Sequence, residues 1–112
     1  MIMDAKKGKA FVGRESTFDT WAETYDIFLN TREIGKLGGG ETVTGTLIEG
    51  RNTMAAKFGG LLDFDIGKDA LTFEGSTDTN KYFIVTKKLG FLTNSLRVTE
   101  VTEDGFKNTM RE

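Results

Sequence analysis

The residue types that could carry chemistry are few in this chain of 112 residues, because it contains no histidine and no cysteine. Histidine is the usual general base near neutral pH and a frequent metal ligand, and cysteine supplies thiolate nucleophiles and zinc ligands. Their absence excludes Ser-His-Asp and Cys-His catalysis, ordinary zinc sites and disulfides. The spacing of the carboxylates, lysines and tyrosines places no catalytic pair in one cleft, so we expect neither an enzyme nor a bound cofactor.

The densest group of carboxylates lies in residues 63–69, where Asp63, Asp65 and Asp69 stand at two- and four-residue spacing. Carboxylate oxygens at such spacing can coordinate Ca²⁺. The same residues alternate with apolar ones, as in a strand whose carboxylates face water. The segment also lacks the distal glutamate of the calcium-binding helix–loop–helix pattern. We therefore expect no metal site, and these three aspartates are the weak candidates for one.

Two segments partly match motifs that bind nucleic acids or phosphates. Residues 7–12 resemble an RNA-recognition signature, but Lys9 and Arg14 occupy positions where base-stacking aromatic residues are required. The glycine-rich residues 35–42 lack the Gly-Lys-Ser/Thr order of a nucleotide loop and lead into a threonine-rich strand. Nucleic acid is therefore not an expected partner.

Apolar residues at predicted turns are the least ordinary feature of the sequence. They flank Gly59-Gly60 and surround Gly90, directly after two lysines. Turns are usually polar, so such side chains either fold back to close the end of a barrel or dock into another subunit. The candidate interface residues are Phe58, Leu61, Lys87, Lys88, Leu89, Phe91 and Leu92.

Near the N-terminus, aromatic and aliphatic residues recur with the spacing of an amphipathic helix, which predicts a helix over residues 17–30. A competing strand interpretation uses the alternation of Tyr25, Ile27 and Leu29, but it leaves the preceding aromatic residues unexplained. The aromatic face of this segment could line a pocket for an apolar ligand, or it could belong to a packed core. The candidate pocket residues are Phe18, Trp21, Tyr25 and Phe28.

The rest of the chain reads as strands, because apolar and polar residues alternate and turn signals recur about every ten residues. The apolar run Tyr82–Val85 predicts a central strand, residues 10–12 a first strand and residues 106–110 a short last strand. A change of phase at Thr99–Glu100 suggests a bulge. We expect an α+β, mostly β fold: a curved antiparallel sheet or small barrel of about seven to eight strands with one N-terminal helix. Residues 1–112 form one domain, of which 1–8 are a flexible basic arm.

Charge and hydropathy narrow the range of partners. The chain has 15 basic and 17 acidic residues, and its net charge of −2 predicts no polyanionic partner. The longest apolar run, residues 82–85, is far too short to span a bilayer, and the N-terminal residues do not resemble a secretory signal. We therefore expect a cytoplasmic location, or a virion if the protein is viral.

Two functions remain after these exclusions. The first is a non-enzymatic structural or interaction protein that self-assembles or forms a subunit of a larger complex. In composition the chain loosely resembles small bacteriophage head or tail proteins, which implies a component of a phage-type particle. The alternative is a β-barrel carrier that binds a small apolar molecule against Trp21 and Tyr25.

Overall fold

The computed structural model describes residues 8–15, 24–58, 70–88 and 95–111. Within these ranges the chain forms two four-stranded sheets and one helix. Sheet A has the strand order β4-β1-β7-β8, and sheet B has the order β3-β2-β5-β6. The elements are β1 (Lys9–Gly13), β2 (Tyr25–Leu29), β3 (Arg32–Leu37), β4 (Thr42–Thr46), β5 (Gly50–Phe58), β6 (Leu71–Gly75), β7 (Lys81–Lys88), β8 (Ser95–Val101) and α1 (Glu103–Met110).

Sheet A is antiparallel except at its centre. Strand β1 pairs antiparallel with β4, from Lys9 opposite Thr46 to Gly13 opposite Thr42. On its other side β1 runs parallel to β7, which in turn pairs antiparallel with β8. Strand β7 is therefore an internal strand of the sheet, as its continuous apolar run predicts.

Sheet B is antiparallel throughout. Strands β2 and β3 form a hairpin whose two turn residues, Asn30 and Thr31, both adopt a positive φ, of 54° and 67°. Such turns match the natural twist of the strands they join. Further along the hairpin the register shifts between Ile27 and Phe28, which leaves Ile34 as an extra residue in β3. Strand β3 therefore carries a β-bulge.

The core lies between the two sheets because each strand directs alternate apolar side chains to the same side. Val12 and Val85 of sheet A join one buried cluster with Ile27 and Met54 of sheet B. Rings from the two sheets also touch: the centroids of Phe73 and Phe83 are 4.7 Å apart. Burial of apolar side chains of this size contributes about 1.5–3 kcal/mol each. The fold is thus two packed sheets around a shared core.

Helix α1 covers part of the outer face of sheet A. Its Phe106 ring lies 5.4 Å from Tyr82, which stacks on Phe11 at 5.2 Å. Gly13 allows this approach, since a Cβ atom there would lie 2.7 Å from the sulfur of Met110. The outward side chains of β1 and β7 are therefore covered where the helix crosses them.

A buried amide network closes the end of the molecule where β2 ends and β5 begins. The side chain of Asn52, which has no exposed surface, accepts hydrogen bonds from Asn30 Nδ2 at 2.9 Å and from the Ile48 amide at 3.0 Å. Its amide group donates to the carbonyls of Ile48 and Gly50 at 2.9 and 3.0 Å. Because all of these polar groups are paired, their hydrogen bonds offset the cost of removing them from water, and the network orders the chain around the β2–β3 turn.

The predicted N-terminal helix is wrong over residues 25–29, which form β2. Tyr25, Ile27 and Leu29 are buried in alternation between two paired strands, and that burial outweighs the helical spacing. Residues 17–23 of the predicted helix and residues 1–7 of the predicted basic arm lie outside the described ranges. The predicted single curved sheet or barrel is also wrong, since the strands form two sheets that do not close into a barrel.

Two predictions at the C-terminal end are wrong as well. Residues 106–110 form part of α1, which begins after Thr102, whose Oγ1 accepts from the Gly105 amide at 3.0 Å. The pairing of β7 with β8 is regular through Thr99 and Glu100, so the predicted bulge is absent from this pair. The change of phase has another cause: Val98 faces the core, whereas Val101 lies opposite Tyr82 on the face that α1 covers. The mostly β fold with antiparallel pairing is confirmed.

Candidate interaction surface

The structure brings two of the candidate interface residues together. Phe58 is the last residue of β5, and Lys87 is the penultimate residue of β7. The Lys87 ammonium lies 6.0 Å from the centroid of the Phe58 ring, so the two sheets meet here through a cation and an aromatic face. Lys88 ends β7. The other four candidates, Leu61, Leu89, Phe91 and Leu92, lie outside the described ranges.

The two candidate pocket residues that the structure describes, Tyr25 and Phe28, do not share one surface. Tyr25 is 1% exposed and faces the core, whereas Phe28 points from the opposite face of the same strand. Phe18 and Trp21 lie outside the described ranges. The candidate metal ligands Asp63, Asp65 and Asp69 also lie outside them, and the described part of the chain contains no cluster of acidic side chains that could hold a metal ion.

Around Tyr25, two cations and two aromatic rings form a row at one end of the sheets. The guanidinium of Arg14 lies 3.9 Å from the centroid of the Tyr25 ring, and Tyr25 meets Phe58 edge-on at 5.7 Å. Arg14 is only 3% exposed and donates from an Nη atom to the Leu37 carbonyl at 3.2 Å. A desolvated cation–aromatic contact contributes about 2 kcal/mol. Sequence reasoning considered Arg14 only in a nucleic-acid motif and missed this stabilising contact between the sheets.

The four edge strands of the two sheets differ in how they are protected against pairing with other chains. Charged side chains, bulges and prolines normally prevent such pairing. Strand β6 carries Glu74, β8 carries Arg97 and Glu100, and β3 carries three charges. Strand β4 has the sequence Thr-Val-Thr-Gly-Thr and carries no charge. Among the described strands, β4 is the only sheet edge without a charged residue.

The register of β4 shows which of its backbone groups are free to pair. The Leu47 amide donates to the Gly8 carbonyl at 2.8 Å, and the Arg14 amide donates to the backbone carbonyl of Glu41 at 3.2 Å. In an antiparallel pair the residues that bond to the neighbour alternate with residues that point away from it. The N–H and C=O groups of 42, 44 and 46 therefore point away from β1. These are three threonines with exposed side chains, and we name them the β4 edge.

Strand β3 lies next to β4 in the other sheet, and it is protected in two ways. Its bulge at Ile34 interrupts the regular spacing of its backbone groups. Lys36 also forms ion pairs with Asp26 at 3.0 Å and with Glu33 at 3.3 Å. The hydrogen bond to Asp26, followed by the one to Glu33, raises the pKa of Lys36 above its ordinary value.

The β4 edge was not among the sequence-predicted interface residues. Its alternation and its lack of charge are visible in the sequence and predict a strand. Its position at the edge of the sheet depends instead on the pairing of β1 with β7, which are distant in sequence. The local sequence therefore does not reveal that β4 is an edge strand, because that depends on the order of the strands in the sheet.

Comparison with other proteins adds no further constraint on the site. In the described ranges, no helix has the length and apolar character needed to cross a membrane. The chain matches no protein-family model, no curated protein and no solved structure.

Proposed function

We propose that this chain is a non-enzymatic interaction protein that acts by self-assembly into a homo-oligomer. The observation that carries the proposal is the β4 edge, an uncharged and regular strand with outward-pointing backbone groups. Its partners are proteins, met in the cytoplasm or in a virion.

Addition of a strand at this edge is energetically favourable for a simple reason. Each new backbone hydrogen bond contributes about 0.5–1.5 kcal/mol net, and Thr42, Thr44 and Thr46 supply both donors and acceptors. No charged side chain of β4 has to lose its water, and threonine is favoured in strands. Partner strands can therefore bind through their backbone, as in other complexes formed by strand addition.

Phe58 and Lys87 form a second, smaller contact in this proposal. Both side chains are half-buried at the end of the sheets, and the Lys87 ammonium lies over the Phe58 ring. Aromatic residues such as Phe58 are enriched at protein interfaces, although lysine is depleted there. The carrier alternative has no comparable support among the described residues, because Tyr25 and Phe28 lie on opposite faces of β2.

The proposal is tested by the molar mass of the protein, measured by light scattering after size-exclusion chromatography over a wide concentration range. The key variant is Thr44→Lys, which places a charge at the centre of the β4 edge. The matched control is Thr99→Lys, which adds the same charge to an exposed threonine on β8, an edge that already carries Arg97 and Glu100. Circular dichroism verifies that both variants fold.

We expect the wild type and Thr99→Lys to form the same oligomer. Thr44→Lys should raise the dissociation constant by about tenfold or more, because a lysine on an edge strand opposes pairing with another strand. A wild type that stays monomeric at every concentration would overturn the proposal. Equal association of the wild type and both variants would show that the β4 edge is not the surface.

A further inference from the structure

We propose that the partner of the β4 edge is the β4 strand of a second copy, paired antiparallel about a two-fold axis at Thr44. This inference rests on the proposed function, and it adds the identity of the partner and the register of the pair. The result would be one continuous eight-stranded sheet made from sheet A of both copies.

The lack of charge explains why an identical strand fits. In a two-fold pair, each strand faces its own sequence in reverse, so a charged edge meets its own charges. Strands β3, β6 and β8 would all bring charged residues to such a pair. Strand β4 brings none, so self-pairing meets no like-charge repulsion within the strand.

Backbone geometry limits the possible registers. Residues directly opposite each other in an antiparallel pair must both point their hydrogen-bonding groups toward the partner strand, or both away from it. The groups of Thr42, Thr44 and Thr46 point outward, while those of Val43 and Gly45 point to β1. A register that sets Val43 opposite Thr44 is therefore excluded. The axis must therefore set one residue of β4 opposite the same residue of the second copy.

Side-chain fit favours Thr44 as that residue. With the axis at Thr44 all five residues of β4 are paired, and Thr42 faces Thr46 of the second copy. On the inner face, Val43 then lies opposite Gly45, over which Leu29 and Ile34 of the same copy pack, so the valine meets apolar neighbours. An axis at Gly45 would instead place Glu41 opposite Glu49, two exposed carboxylates of like charge.

The absence of cysteine makes this register directly testable, since each introduced cysteine is the only thiol of its chain. The variants are Thr44→Cys, Thr42→Cys and Thr46→Cys, and the control is Thr99→Cys on β8. Directly opposite residues that exchange backbone hydrogen bonds have Cα atoms about 5.5 Å apart, which suits a disulfide. Each variant is oxidised mildly, and disulfide-linked dimers are separated by non-reducing electrophoresis.

The expected pattern has two independent parts. Thr44→Cys alone should form a linked dimer rapidly, at least about tenfold faster than Thr99→Cys, because its partner thiol is held in place. Thr42→Cys and Thr46→Cys should each link slowly alone and rapidly when mixed. The mixture also tests the register if Thr44→Cys fails to fold.

Other patterns separate the failure of this inference from the failure of the proposed function. If Thr44→Lys dissociates the oligomer but neither cysteine pattern appears, the β4 edge associates with another partner strand and the two-fold pair is overturned. If all four cysteine variants link at similar rates, the contact is random collision and the two-fold pair is also overturned. If the wild type is monomeric, both proposals fall.

Discussion

Strands β3 and β4 lie side by side at the same margin of the molecule, one in each sheet, yet they are protected very differently. Strand β3 carries Arg32, Glu33 and Lys36 and is bulged, whereas β4 is regular and uncharged. Their inner faces pack closely, since a Cβ atom at Gly35 would lie 2.9 Å from Val43. Of these two adjacent edges, β4 is the one with the regular, uncharged backbone that strand addition requires.

This difference between the β3 and β4 edges has a physical consequence for the proposed assembly. If both edges were free, one molecule could pair through either sheet and would form open aggregates. Under our proposal, the bulge and the charges of β3 leave β4 as the edge at this margin along which a second copy pairs. A self-complementary edge then closes after two copies.

Packing between the two edge strands gives the largest expected effect. Gly45 is buried, and a Cβ atom there would lie 2.8 Å from Leu29 and 3.0 Å from Ile34. Gly45→Val should therefore lower the free energy of unfolding by about 1–3 kcal/mol, as overpacked cores do. Urea unfolding at low protein concentration measures this loss in the free energy of unfolding. The control, Thr44→Ala on the exposed face, should change stability by less than about 0.5 kcal/mol; equal losses would contradict the packing.

Removing the charges of β3 should make its edge resemble β4. The variant Arg32→Thr, Glu33→Thr, Lys36→Thr keeps the bulge but removes the charge protection. We expect its average molar mass at high concentration to rise above that of the wild type, by less than about twofold because the bulge still interrupts pairing. Light scattering measures the mass. An unchanged mass would show that the bulge alone protects β3.

Salt should affect the two edges differently. Association through the uncharged β4 edge should change by less than about threefold between low and high ionic strength, since salt screens only charges. The Thr44→Lys variant should instead associate better at high salt, because the repulsion between the two introduced lysines is screened. Sedimentation equilibrium measures both dissociation constants. Strong salt dependence of the wild type would indicate an interface built from ion pairs.

The ion pairs of Lys36 should give the smallest effect, visible only at high pH. Hydrogen bonding to Asp26 raises the pKa of Lys36 in the folded state. Its contribution to stability is therefore fully present below the unfolded pKa of 10.5 and is lost as the pH rises through the raised pKa. The stability difference between wild type and Lys36→Met, measured by urea unfolding, should shrink over this range. A constant difference would contradict the ion pair.

Much of the strand content could be predicted from the sequence, because alternation is a local signal. The sequence predicts a helix where β2 forms, because Tyr25 and Phe28 also fit helical spacing and a strand of five residues is too short for its alternation to decide. In α1 the local signals were present: Thr102 caps the helix, and Phe106 and Met110 stand four residues apart. Gly105 has a low helix propensity, so the composition of this segment did not indicate a helix.

The candidate surface was less predictable, for a physical reason. The contact of Phe58 with Lys87 joins two residues that the sequence had singled out as apolar or basic at turns. The exposure of β4 follows from long-range pairing, in which β1 occupies one side of β4 and no described strand occupies the other. Local composition cannot report which strand will be an edge.

Amide hydrogen exchange at Thr44, followed by NMR at increasing protein concentration, tests the central claim most directly. The Val43 amide points to β1 and the Thr44 amide points outward. The account predicts that Thr44 exchanges rapidly in dilute protein and becomes protected as concentration rises, while Val43 stays protected throughout. Exchange at Thr44 that does not depend on concentration would contradict the claim that β4 is the edge through which this protein assembles.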